Sequence, residues 1–419
     1  MDFAFICPDV VEMGLRTARI GTRFALRSIQ TPRSSGNGGN WRNTQLFKKS
    51  LAALAVLGAA AGYASAADVT LFGVVDTGLI YTHQTFADDS KADVNNFAMD
   101  SGVSSASRFG LKGTEELGNG LKVGFKLENG FQSDSGALKS EKRIFDREAS
   151  VSLYSDFGTL SMGRMGGVGS GAGTYDLVLA TADAFDGGDN NVFGFATSDR
   201  YDNMVTYQTP KFAGLQATVQ YSFNEDSVEE TAREGSSAVN RYSSAALTGD
   251  FGALQTVLAY EFQNYKSFGA AGEHDDGQIV YLGGNYDCGF AKTFVMGQYF
   301  KGIKAGQLTA ITEDDAALFD TANSNGYSAD GVKGYGLHLG TIVPVAGGDL
   351  TVAAYFTDFS VEYATGDKDA KSYAFGAKYE YYLSKRTSVY TGAGFAQVKY
   401  DDEGSDKTTQ AYLGLTHRF

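Results

Sequence analysis

Downstream of residue 66, hydrophobic side chains recur at every second position in blocks of about ten residues. In 215–224 the apolar set is Leu215, Ala217, Val219, Tyr221 and Phe223, and the intervening set is Gln216, Thr218, Gln220, Ser222 and Asn224. Segments 372–381 and 121–128 repeat the pattern, the latter setting Leu121, Val123, Phe125 and Leu127 against Lys122, Gly124, Lys126 and Glu128. A period of two is that of a strand, so each block has one greasy and one polar face. No long helical segment covers so many greasy faces. Lipid is the simplest cover, and a water-soluble β-sandwich is the alternative that alternation alone leaves open. No run of about 20 apolar residues occurs, which excludes a bundle of membrane-spanning helices. The 53 Gly, 29 Phe and 24 Tyr against 4 Pro suit many strands and many turns.

Punctuation between the blocks alternates short and long. Tight turns fall at Leu117-Gly118-Asn119-Gly120, Ser155-Asp156-Phe157-Gly158, Thr209-Pro210-Lys211-Phe212-Ala213-Gly214, Gly249-Asp250-Phe251-Gly252, Tyr286-Asp287-Cys288-Gly289, Ala346-Gly347-Gly348 and Leu383-Ser384-Lys385. Polar connections fall near residues 84–102, 133–143, 167–199, 225–240, 266–277, 302–332, 362–370 and 401–407. Seven turns and eight loops join sixteen strands and put both termini on the short-turn side, which is periplasmic in an outer-membrane barrel. The expected fold is all-β, a sixteen-stranded antiparallel transmembrane β-barrel.

The first 66 residues differ in character. Lys48-Lys49, the apolar run 51–63 and Ala64-Ser65-Ala66 are the basic, apolar and cleavage-site parts of a secretory signal. Residues 46–66 are therefore expected to be a signal peptide, a buried core helix being the alternative, and residues 67–419 the mature barrel. Residues 1–45 are either an extended leader or a misassigned one, with translation starting near Leu46. Signal removal leaves Cys288 as the single cysteine, so no internal disulfide holds the exported chain. A closed sheet does so instead, by pairing its backbone groups within itself.

Residues 1–66 hold eight basic and three acidic groups of the chain's 35 and 49, which leaves 67–419 with a net charge of −19. Such a surface argues against nucleic-acid binding. Much of the charge lies in the long connections, at Asp88-Asp89, Glu229-Glu230, Asp275-Asp276, Glu313-Asp314-Asp315 and Asp401-Asp402-Glu403. It is either an ordinary solvated surface or a means of holding divalent cations against lipopolysaccharide and concentrating cations at a mouth.

Six blocks stand out along the chain: the opening Val69-Thr70-Leu71-Phe72-Gly73-Val74-Val75-Asp76, then Ser107-Arg108-Phe109-Gly110-Leu111-Lys112-Gly113-Thr114-Glu115-Glu116-Leu117-Gly118-Asn119-Gly120, and Phe145-Asp146-Arg147-Glu148-Ala149. Phe157-Gly158-Thr159-Leu160-Ser161-Met162-Gly163-Arg164, Tyr382-Leu383-Ser384-Lys385-Arg386-Thr387 and the closing Gly414-Leu415-Thr416-His417-Arg418-Phe419 complete the set. Together they resemble the Gram-negative general diffusion porins of the neisserial and betaproteobacterial type. The resemblance implies a homotrimer in the outer membrane whose third loop, here about 167–199, folds into the lumen. It implies a constriction in which loop acids, Asp183 and Asp186 among them, face an arginine ladder at Arg108, Arg147 and Arg200, with Arg164 close by. Lys112 and Lys126 share the lumenal parity of their strands. By alternation Arg147 falls in phase with the outward Val151 and Leu153, so a bulge or a position above the lipid band is needed there. Phe419 matches the signal read by the outer-membrane assembly machinery.

The function implied is passive diffusion of small hydrophilic solutes and ions, without cofactor or metal. The rivals are a barrel enzyme, a solute-specific channel and an adhesin. His83, His274, His338 and His417 form no H-E-x-x-H or G-x-S-x-G signature. The glycine-rich 167–173 lacks the following helical pattern of a dinucleotide site. Sixteen strands are too few for the usual sugar-specific barrel, and the loops are modest for an adhesin.

Overall fold

The computed structural model describes residues 68–88, 90–187, 194–228, 232–265, 276–304, 307–308, 329–363, 367–401 and 404–419. Both leader segments, 1–45 and 46–66, lie outside these residues, as do acidic pairs such as Glu229-Glu230. The described chain is almost entirely strand. The first half holds β1 (Asp68–Thr85), β2 (Val94–Ser101), β3 (Arg108–Gly118), β4 (Leu121–Gly130), β5 (Glu148–Ser155), β6 (Gly158–Gly166), β7 (Arg200–Gln208) and β8 (Leu215–Ser222). The second holds β9 (Arg241–Phe251), β10 (Leu254–Asn264), β11 (Gly277–Asp287), β12 (Lys292–Ile303), β13 (Ala329–Val345), β14 (Gly348–Tyr363), β15 (Lys368–Tyr382), β16 (Thr387–Tyr400) and β17 (Gly404–Arg418).

Apart from β2 and β3, neighbours in sequence pair antiparallel, and β17 returns to β1, with Val74 opposite Arg418 and Thr85 opposite Lys407. The sheet is therefore closed, which rules out the two-sheet sandwich. Seventeen segments make sixteen staves because β2 and β3 share one: β3 pairs with β1 from Asp68 to Val74, and β2 pairs with it from Thr77 to Gln84. The break between them spans 102–107. The sequence places 94–101 in a loop, because its two asparagines interrupt the alternation. In the barrel those residues are a strand with Phe97 and Met99 exposed at 69% and 58%.

Burial is inverted relative to a water-soluble sheet. On β8, Val219 and Tyr221 are exposed while Thr218, Gln220 and Ser222 are buried. Leu282, Val295, Leu337, Leu339, Phe375 and Leu413 are exposed likewise. On most strands the apolar row faces out, toward lipid, where an Arg or Lys at the midplane would cost about 2–4 kcal/mol, whereas β12 also turns Phe294, Met296 and Phe300 inward. All seven short turns mark junctions between strands, although the one expected at Gly249-Asp250-Phe251-Gly252 falls later, at 252–253, because β9 runs on to Phe251. Positive φ at Gly118 (84°), Asn119 (52°) and Gly120 (76°) gives the first of them the left-handed backbone that a tight hairpin demands. Phe157, Phe212 and Phe290 project from turns on this rim, as in an interfacial aromatic girdle.

Candidate functional site

Residues 167–199 join β6 to β7 and include one helical turn, α1 (Leu179–Ala182). The glycines that open this stretch permit close approach to the wall: a Cβ on Gly169 would lie 2.7 Å from the Tyr281 hydroxyl. Tyr242 instead receives the Val168 N–H at 3.2 Å, and Glu261 the Gly169 N–H at 3.0 Å. Further along, Thr174 donates to Glu148 on β5 at 2.8 Å, and Asn285 on β11 donates to the Thr181 carbonyl at 2.6 Å. Tyr281 donates to the Ala196 carbonyl at 3.2 Å, and Gln298 on β12 accepts the Ala196 N–H at 3.0 Å. Each of these wall residues is buried. Val168, Val178, Leu179, Ala182, Phe195 and Ala196 pack into one apolar cluster with Ile279, Phe294, Met296 and Phe300 of the strands.

Arg108, Lys126, Arg147 and Arg200 converge on one cavity of about 750 Å³, which Asp176 and Asp186 of the 167–199 connection also line. The cations come from four staves: Arg108 opens β3, Lys126 is on β4, Arg147 immediately precedes β5, and Arg200 opens β7. Arg147 escapes the outward phase of Val151 and Leu153 because it lies before the first paired residue of β5, where alternation no longer applies. Glu128 is a shared counter-ion, 2.6 Å from Arg147 Nε, 3.3 Å from Lys126 Nζ and 4.0 Å from Arg108 Nε. Lys126 also reaches Glu148 at 2.9 Å. Arg200 Nε is buried and has no hydrogen-bond partner.

Three other residues singled out in the sequence stand apart from this cavity. Lys112 lines a second cavity of about 260 Å³ nearer the short-turn end, its Nζ 5.3 Å from the Phe72 ring centroid. Arg164 holds Asp202 at 2.7 Å and donates to the carbonyls of Asp146 (2.8 Å) and Arg200 (3.1 Å). Asp183 is buried: it accepts from the Tyr355 hydroxyl and the Gly187 N–H, both at 2.7 Å, and lies 3.3 Å from His338 Nε2.

Glu128 and Lys378 are cavity residues that sequence reasoning left out, and Asp176 is one it counts among the loop acids without placing it in the constriction. Glu128 was legible, since it shares the inward parity of Lys126. Asp176 is hydrogen-bonded to Asp186. Two carboxyls in that contact hold a proton between them. Burial, then the charge of Asp183, pushes the Asp186 carboxyl up to about 6, although its bond to Asp176 and the nearby Arg108 and Lys378 pull the other way. Burial and the Asp186 charge push Asp176 well above the usual carboxylate range. At neutral pH the connection therefore carries less negative charge than its composition suggests.

A closed sheet with an apolar exterior and a charged interior cavity is a transmembrane β-barrel of the channel-forming class. Residues 53–417 match the family model for the Gram-negative porin. The chain is 34% identical over 396 residues to an outer membrane porin protein of Bordetella pertussis, covering 89% of this chain and all of that one. It is 32% identical over 361 residues to outer membrane porin protein 32 of Delftia acidovorans, covering 84% and 90%. Among solved structures, the anion-selective porin from Comamonas acidovorans aligns with a TM-score of 0.59 and 26% identity over 84% of this chain and all of that one. The chain belongs to the Gram-negative porin family. It is an outer-membrane diffusion channel.

Proposed function

We propose that the cavity framed by Arg108, Lys126, Arg147, Arg200 and Asp186 is the narrowest passage of the channel. The 167–199 connection is the inward loop that narrows it, and small hydrophilic solutes and ions pass with a mild preference for anions. The observation that carries this is the convergence of four wall cations on one cavity, opposite an acid pair that retains a proton. Charges opposed across a narrow passage orient water and dipolar solutes and penalise an apolar molecule that must displace that water. Arg200, with no bonding partner at Nε, adds positive charge that the nearby Asp199 and Asp146 offset in part. Arg164 and Asp183 hold the frame, and Lys112 adds positive charge on the periplasmic side. Permeation is passive and no bond is made or broken.

The functional unit is a homotrimer, delivered by the signal in 46–66 and inserted by the assembly machinery through Phe419. Its acidic outer loops meet lipopolysaccharide through divalent cations. Purified protein added to a planar bilayer in KCl should insert in groups of three equal conductance steps, with a reversal potential of the sign set by anion permeation. Silence, or a reversal potential of the opposite sign, refutes the proposal.

A further inference from the structure

The stave formed by β2 and β3 is broken at 102–107, and the break faces the lumen. Gly102, Ser104, Ser105, Ala106 and Ser107 line the same cavity as Arg108 and Asp186. Val103 is buried against Ile80, Tyr390 and Tyr412 on the inner wall. An interrupted strand at membrane depth is tolerated only where its backbone groups find partners in the protein or line a wet cavity. Ser107 supplies one set: its hydroxyl receives the Asp76 N–H at 3.0 Å and lies 2.9 Å from the Asp76 carbonyl. Gly102 N–H bonds that carbonyl at 3.0 Å, and Ser133 from the 133–143 connection donates to it at 2.7 Å.

The Asp76 side chain, fully buried, organises the rest. It accepts from Tyr390 (2.8 Å), Thr416 (2.5 Å) and the Ser104 N–H (3.4 Å). The segment in turn places two cations. Arg108 Nη1 donates to the Ala106 carbonyl at 2.7 Å, and Lys378 Nζ donates to Ser104 Oγ at 3.0 Å. Lys378 also lies 5.4 Å from the ring centroid of Phe185, in the 167–199 connection. One lysine thus touches both inward-projecting segments.

We propose that 102–107 is a second constriction element of the pore, set opposite the 167–199 loop, and that Asp76 is the positioning residue that holds it and, through it, Arg108 and Lys378. It rests on the constriction placed above at this cavity, but it assigns a second segment and a buried acid to it.

The test uses the full protein carrying Cys288→Ser, with Ser105→Cys or, separately, Asp186→Cys, reconstituted in planar bilayers. Each thiol is treated with a negatively charged sulfonatoethyl or a positively charged trimethylammonium-ethyl methanethiosulfonate. Labelling at position 105 should lower single-channel conductance by a third or more, and the two reagents should move the reversal potential in opposite directions. A thiol at 105 that stays unmodified, or one that labels fully with conductance and reversal potential unchanged, overturns the proposal. An effect at 105 with none at 186 discards the 167–199 loop as a constriction and leaves 102–107 standing.

Asp76→Asn, Tyr390→Phe and Thr416→Val separate positioning from mere stability. All three should shift the reversal potential, and the two charge-neutral changes should do so in variants that assemble at normal levels. Normal permeation in assembled Tyr390→Phe and Thr416→Val channels removes Asp76 from the positioning role.

Discussion

Burial and the charge of Asp183 push the Asp186 carboxyl up to about 6, more than its hydrogen bond to Asp176 and the nearby Arg108 and Lys378 pull it down. Raising the pH through that value strips the proton and adds negative charge to the passage. Anion preference should therefore weaken as pH rises from about 5 to about 8, reversal potentials moving toward the cation side. Asp186→Asn should flatten that dependence. A reversal potential independent of pH in the unmodified channel would mean that the pair does not face the permeating ions. Asp183 serves a different end. Removing a carboxylate that Tyr355 and the Gly187 N–H both use costs about 1–3 kcal/mol locally. Asp183→Ala should thus increase open-channel noise and brief closures in single-channel records, and should move the pH dependence of the reversal potential to lower pH, since the Asp183 charge helps to hold the Asp186 proton. Parity made Arg108 and Lys126 readable from sequence, and the end of β5 explains Arg147. The anchoring role of Asp183 was not readable, because its partners Tyr355 and His338 lie over 150 residues away.

At the level of strands, alternation locates almost every stave, because lipid on one side and a wet lumen on the other impose the same period on each. It fails at the stave split into β2 and β3, where Asn95 and Asn96 blur the outward row and 102–107 leaves the sheet. The closing seam is the element most open to test. Phe419 continues β17 by exchanging two backbone hydrogen bonds of 3.0 Å with Gly73, and a Cβ at Gly73 would strike the Phe419 ring and lie 2.7 Å from the Arg108 carbonyl. Gly73→Ala should destabilise the seam by about 1–3 kcal/mol and lower the temperature at which the heat-modifiable folded band is lost on gels. Deleting Phe419 should act earlier, leaving protein in the periplasm or degraded with synthesis unaffected. Normal outer-membrane levels of the truncated chain under strong expression would remove Phe419 as an insertion signal.

For the whole molecule, the barrel is an inside-out protein: its core is the segment packed within it and its greasy surface faces lipid. That polarity requires export. The proposed signal has its basic, apolar and cleavage-site parts between Lys48 and Ala66, without residues 1–45. A stop codon in place of Met1 should leave the outer-membrane level unchanged, and loss of the protein would make the long leader genuine. Charges more than about one Debye length away are largely screened in 0.15 M salt, so reversing the charge of the acidic loops should alter selectivity mainly at low ionic strength. On the proposed reading, selectivity is set instead where wall cations meet the acid pair. The most direct measurement is the reversal potential of single channels in a KCl gradient, compared between the unmodified channel and two double variants. Arg108→Ser with Arg200→Ser should move it toward cations, and Asp176→Asn with Asp186→Asn should move it toward anions. Reversal potentials unchanged in both would place the narrowest point of the pore elsewhere.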